Sequence, residues 1–205
     1  NLVKALEQTD ESTVLVSSSA IGYYGDQGDS ELAEDHPSGR DFLADISNAW
    51  ETEANNAATH GIRVVVIRTG IVLAHGGGAL ASMLLPFKMG VGGPMGSGKQ
   101  WWSWIHRDDL VAICLRAISD NEMVGIYNGT APHPMRQGDF STVLGKVLHR
   151  PAFLPTPAFA LKLALGGFST ELLTSKRVMP KRLQEAGFEF QYPELETALR
   201  QALGR

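Results

Sequence analysis

Ser12-Thr13-Val14-Leu15-Val16-Ser17-Ser18-Ser19 and, further along, Arg63-Val64-Val65-Val66-Ile67-Arg68-Thr69-Gly70 are the two stretches that decide the fold. Each is a short apolar, β-branched run closed by small polar residues, the pattern of a strand covered on both faces. Between them, Phe42, Ile46, Trp50 and Ala54 recur every fourth residue from Asp41 to His60, and Gly61 follows. That spacing predicts a helix ended by glycine. Strand, loop, helix and strand in this order make a βαβ crossover, so the two strands are expected to be parallel.

Gly76-Gly77-Gly78 precedes a Leu- and Met-rich helix over 79–89, and a glycine-rich loop leads into Trp101-Trp102-Ser103-Trp104-Ile105-His106. Asp108 or Asp109 is expected to cap a helix running to Ile118, with a strand at 125–128. Strand signals stop beyond Pro132. Helices are expected at 137–148, 158–165, 171–178, 180–186 and 193–203, and Phe188, Phe190 and Tyr192 alternate as an edge strand or extended packing segment. The expectation is an α/β core over residues 1–130 followed by a mainly helical lobe over 131–205. At the other end, 1–7 reads as the interior of an amphipathic helix, with Leu2, Ala5 and Leu6 on one face and no capping signal before it. A further segment upstream is expected.

Composition narrows the function classes. The 205 residues are 43% hydrophobic and 20% charged, with a net charge of −4. That balance carries no electrostatic footprint for nucleic acid, and no apolar run is long enough to span a bilayer. Cys114 stands alone, so a disulfide framework or a cysteine zinc site is excluded. The six histidines lack paired ligand spacing, and no metal site is expected. The chain reads as cytoplasmic, or stromal in a plant or alga.

Candidate chemistry gathers at strand ends. Ser17, Ser18 and Ser19 could orient a carbonyl or a nicotinamide amide there, or serve a turn through local hydrogen bonds. Arg68-Thr69-Gly70 ends the next strand, where Arg68 could meet a phosphate or carboxylate, or a structural partner. Trp101 and Trp104 could line a pocket. His106 could act as an acid or base, or satisfy a buried hydrogen bond. The segment 93–99 fits Gly-x-x-x-x-Gly-Lys, but Gln100 replaces the magnesium-binding hydroxyl. It also precedes no helix, so its amides are not gathered at a helix N-terminus, and an NTPase is disfavoured. Arg177, Lys181 and Arg182 read as a solvated basic face.

Together, Val14–Ala20, Val65–Gly70, Trp104–Leu110 and Tyr127–Gly129 resemble the extended short-chain dehydrogenase/reductase superfamily with its nucleotide-sugar epimerases. Gly96–Gln100, Asn128–Pro132 and Glu185–Phe190 are similar to an uncharacterised branch whose members are labelled cell-division inhibitor homologues. The resemblance implies a Rossmann-like doubly wound parallel sheet, of strand order 3-2-1-4-5-6, lacking its first strands here. It also implies NADP or NAD as cofactor, held with a glycine-rich unit upstream, and a small-molecule substrate. Ser19 with Tyr23 or Tyr24 would be catalytic. Ser17, Ser18, Arg68, Thr69, Gly70 and Val72 would face the cofactor, and Trp101, Trp104 and His106 the substrate. The superfamily's Tyr-x-x-x-Lys pair is absent. An ungapped count from Arg68 places Phe42 and Ile46 there, and neither can transfer a proton. An epimerase-like oxidoreductase is thus expected, or a catalytically degenerate dinucleotide-binding regulator linked to cell or plastid division. An exposed edge on the first strand would make the 205-residue chain prone to aggregate.

Overall fold

The computed structural model describes residues 3 and 13–205. The opening amphipathic helix expected over 1–7 lies outside them, apart from Val3. In chain order, the strands are β1 Val14–Ala20, β2 Glu31–Leu32, β3 Arg63–Thr69, β4 Ile71–Leu73, β5 Trp101–Trp102, β6 Trp104–His106, β7 Gly125–Gly129, β8 Met135–Arg136 and β9 Arg177–Val178. The helices are α1 Phe42–Asn55, α2 Gly78–Lys88, α3 Arg107–Ser119, α4 Gln137–Leu148, α5 Ala158–Leu165, α6 Ser169–Leu173, α7 Lys181–Glu185 and α8 Leu195–Ala202. A 3-10 turn, Ile21–Tyr24, follows β1, and another, Asn56–His60, extends α1 to Gly61.

β1, β3 and β7 form a parallel sheet in that order, and β1 and β3 flank the α1 crossover as the sequence implies. Both faces of this sheet are covered, which is why its strands read as continuous apolar runs. Val64, Val66 and Ile62 pack with Ala54 and Ala57 on the α1 side. On the other side, Val65, Ile67 and Tyr127 pack with Ile113, Ala117 and Leu183. A larger core joins α2, Trp102 and Trp104 to α4 and α8, including residues on both sides of position 130.

Three local expectations are corrected, and one left between two alternatives is decided. β8 and β9 are strands beyond Pro132, and β9 occupies part of the expected 171–178 helix, pairing in parallel with β2. Of the two forms expected for Phe188 and Phe190, the structure has the packing segment and no strand; their rings meet edge to face at 4.9 Å and pack against the α3 side of the sheet. Arg182 is not a solvated cation, because its guanidinium donates to the Ile126 and Val124 carbonyls and to the Tyr127 hydroxyl. Finally, of the stripe chosen from its sequence, α1 fully buries Ala54 alone. Phe42 and Trp50 are exposed, and Ala44, Ser47, Glu51 and Ala54 face inward.

Candidate active site

In the sheet register, Ser19 lies opposite Arg68 and Arg68 opposite Asn128, so one polar row crosses all three strands near their carboxyl ends. All three side chains are buried. α1 lays Glu51 over this row and the 3-10 turn adds Tyr24.

Glu51 receives a bidentate pair from Arg68, with Nε to Oε1 and Nη2 to Oε2 both at 2.8 Å. The same Oε1 accepts from the Ser19 hydroxyl at 2.7 Å. Arg68 Nη1 donates to the Tyr24 hydroxyl at 2.9 Å and to the Glu34 carbonyl at 3.2 Å. Tyr24 in turn donates to Asn128 Oδ1 at 2.7 Å. The Glu34 carboxylate accepts from the Asn128 backbone N–H. Burial raises the Glu34 carboxyl above its ordinary range despite that hydrogen bond.

These distances show what several of the residues singled out from the sequence touch. Arg68 is committed to protein partners and is not free for a cofactor phosphate. Tyr24 is wholly buried, and its phenol is pushed up to about 12, chiefly by desolvation against the opposing pull of Arg68. Tyr23 is the half-buried member of the pair; its ring lies under the Arg68 guanidinium, 3.3 Å from carbon to centroid. Ser17 and Ser18 belong to β1 itself, where Ser17 is half-buried and Ser18 exposed, so the strand runs through the serines before it ends.

Truncation of Tyr24 to Phe leaves an Arg68 N–H and the Asn128 amide oxygen without their phenol partner. A loss of about 1–3 kcal/mol is expected. Because the folded pKa is raised above the unfolded 10.0, the phenol's contribution is complete below pH 10 and is lost as pH climbs toward 12. Urea melts of the two proteins from pH 8 to 11.5 should therefore converge at the alkaline end. A constant difference across that range would rule out this coupling.

The positions facing the strand ends on α1 also differ from the ungapped count. A side chain at Gly22 would meet Leu43 Cβ at 3.4 Å and Ser47 Oγ at 3.9 Å. The i, i+4, i+8 stripe turned to the site is thus Leu43, Ser47 and Glu51, with Phe42 and Ile46 one residue out of phase. Leu43 and Ser47 supply neither phenol nor ammonium, so the absence of the Tyr-x-x-x-Lys pair holds in either register.

A cavity of about 300 Å³ opens beyond the ends of β1 and β3, lined by Ile21, Gly70, Val72, Trp101, Trp102 and Lys176 among others. Gly70 is required by close approach: a Cβ there would lie 2.7 Å from the Ser103 carbonyl oxygen. Thr69 is half-buried, with its hydroxyl turned to the Ile67 carbonyl at 3.4 Å. Lys176 is buried, and its ammonium holds Glu171 and Thr174, each at 2.6 Å. Of the aromatic candidates, Trp101 reaches this cavity, with Arg136 and Arg177 stacked on its ring. Trp104 does not; it is fully buried core, its indole N–H donating to the His133 carbonyl at 3.1 Å. His106 is likewise buried, and its Nδ1 caps α3 by accepting from the Asp108 N–H at 3.1 Å. The expected aspartate cap is therefore replaced by histidine, and Asp109 instead receives the Gln191 and Tyr192 N–H groups.

Sequence reading missed Glu51, Glu34, Asn128, Lys176 and Glu171. Glu51 had one available signal, since it continues the Leu43–Ser47 spacing on the inward stripe.

A parallel α/β sheet with a cavity beyond the carboxyl ends of its strands defines a Rossmann-like protein. The model of the NAD dependent epimerase/dehydratase family matches residues 1–128, and a domain of unknown function matches 156–202. The chain belongs to the NAD dependent epimerase/dehydratase family. An Arabidopsis thaliana chloroplastic homologue of epimerase family protein SDR39U1 is 48% identical over 188 residues, covering 92% of this chain and 54% of its own length. The human epimerase family protein SDR39U1, solved with NADPH, superposes with a TM-score of 0.90 at 33% identity, over 100% of this chain and 70% of that one. A nucleoside-diphosphate sugar epimerase from Corynebacterium glutamicum gives 0.81 at 35% identity, over 99% of this chain and 40% of that one. This chain thus spans about half the length of the plant relative. Among the described residues, no helix is long and apolar enough to cross a membrane.

Proposed function

We propose that this chain serves an NADP(H)-dependent oxidoreductase that acts on a carbonyl or carbinol carbon without the Tyr-x-x-x-Lys pair. The observation that carries this reading is the cavity beyond β1 and β3, on a fold that superposes with 70% of a protein solved with NADPH. The residues present fit the nicotinamide end of such a cofactor, because Ile21, Ile71 and Val72 offer an apolar slot at the strand ends. Bound there, the nicotinamide would supply or take the hydride.

The chain's own residues have three tasks. Gly70 and Val72 shape the slot. The Ser19–Glu51–Arg68 group fixes the geometry of the strand ends, with Ser19 held by Glu51. Tyr23 is the phenol assigned to proton exchange, a choice supported by its half-buried position beside the Arg68 cation while Tyr24 is sealed in. The second reading, a dinucleotide-binding protein without turnover, draws on Leu43 and Ser47 standing where the proton-transfer pair is absent.

The test uses the full natural chain. NADPH affinity is measured by calorimetry, and turnover is followed at 340 nm with aldehydes, ketones and nucleotide sugars. Tyr23→Phe should lower kcat by roughly 10²-fold or more, the scale of general acid catalysis, with NADPH affinity and Tm unchanged. Micromolar NADPH binding with no turnover of any substrate would establish the second reading.

A further inference from the structure

A second cavity, of about 760 Å³, lies between α2 and α5 and shares Gly78, Ala79 and Leu172 with the cavity at the strand ends. These shared residues set the two cavities side by side. Met83, Phe87, Met95 and Leu161 wall the larger part, and none of its lining residues carries a charge. Leu85, Phe159 and Leu163 on the same two helices, and Met89 just after α2, are exposed, so apolar surface continues outside it. Its volume falls within the ~300–1,000 Å³ range of small-molecule sites. In the smaller cavity the charged groups are Glu171 and Lys176, which are paired with each other.

We infer that the substrate of the proposed reaction is a hydrophobic carbonyl compound, whose alkyl or aromatic body occupies the α2–α5 cavity while its carbonyl end lies in the adjoining one at the strand ends. This inference rests on the oxidoreductase reading for the reacting end and on the cavity itself for the body. The geometry disfavours a nucleotide sugar. A diphosphate buried in the α2–α5 cavity would meet methionine, phenylalanine and leucine side chains and no cation, which is costly for a doubly charged group, and the Lys176 ammonium of the adjoining cavity is already held by Glu171. The polar depression near Lys99 contains Arg136, but that side chain is already paired with Asp29 at 2.7 Å.

Unreactive alcohols test the cavity separately from turnover. Calorimetry of the full natural chain, with and without NADPH, would compare butan-1-ol, hexan-1-ol, octan-1-ol and decan-1-ol with UDP-glucose. Affinity should rise roughly three- to four-fold per methylene, with a negative heat-capacity change, and UDP-glucose should bind more weakly than decan-1-ol. Ser82→Trp and Ala160→Trp, at positions that line the α2–α5 cavity alone, fill it and should each weaken decan-1-ol at least 30-fold, while NADPH affinity is unchanged. A flat dependence on chain length in the unmodified protein, or preferential binding of UDP-glucose, overturns the inference even if neither variant folds. Chain-length-dependent binding without turnover of the matching aldehydes leaves the cavity assignment standing and removes the oxidoreductase reading.

Discussion

Replacing Glu51 with Ala should destabilise the protein by about 3–5 kcal/mol, the cost of leaving a buried cation without its partner. Arg68 is 1% exposed, its carboxylate partner is almost as buried, and the pair is bidentate at 2.8 Å. No water replaces the lost oxygens at such a site without rearrangement. Ser19 loses its acceptor in the same step. The loss should be smaller in Glu51→Gln, which keeps an acceptor for Ser19 and one Arg68 N–H but not the charge. It should be largely recovered when Arg68→Met is added to Glu51→Leu, because a buried pair exchanged for apolar residues is commonly neutral or better. Urea denaturation of the four proteins at pH 7 measures this, with the midpoint moving and the slope held. A cost below about 1 kcal/mol for Glu51→Ala would mean that Arg68 finds solvent or another acceptor.

That pair also marks the boundary of what the sequence discloses. β1, β3 and α1 were legible because burial on both faces leaves an unbroken apolar run and because a crossover helix has a period and a glycine stop. The inward face of α1 was not. Its bulky apolar residues Phe42 and Trp50 point outward, while a serine and a glutamate point inward. A buried carboxylate has no local signature, since what makes it tolerable is Arg68 on a different strand. The parallel pairing of β9 with β2 was hidden for the same reason. Two residues of strand depend on a partner distant in sequence, and Arg177-Val178 alone fits a helix equally well. Within the site, the strand-end position of Ser19 and Gly70 followed from the crossover. The division of labour between Tyr23 and Tyr24 did not, because adjacent residues of one type separate only when one of them is sealed under Glu34, Arg68 and Asn128.

The tryptophan segment separates fold from site most sharply, and it gives the second large effect. Trp104→Ala removes a fully buried indole from β6, where it packs in the core shared with α4 and α8 and donates to the His133 carbonyl. The expected loss is about 3–5 kcal/mol, or roughly 6–20 °C in Tm for a chain of this size. Trp101 lies three residues earlier on β5, half-buried, its indole N–H bonded to the exposed Asp29 and its ring against the cavity. Trp101→Ala should cost about 1 kcal/mol or less in stability, because little of its burial is core. Its effect should appear in ligand affinity, since the ring forms one wall at the strand ends. Thermal melts together with decan-1-ol and NADPH titrations of both variants decide the matter. If Trp104→Ala melted like the parent and lost ligand binding, the indole would be a wall of the site and the packing described for β6 would be wrong. If Trp101→Ala lost stability on the larger scale, the cavity would owe its shape to that ring, and its lining could not be altered independently of the fold.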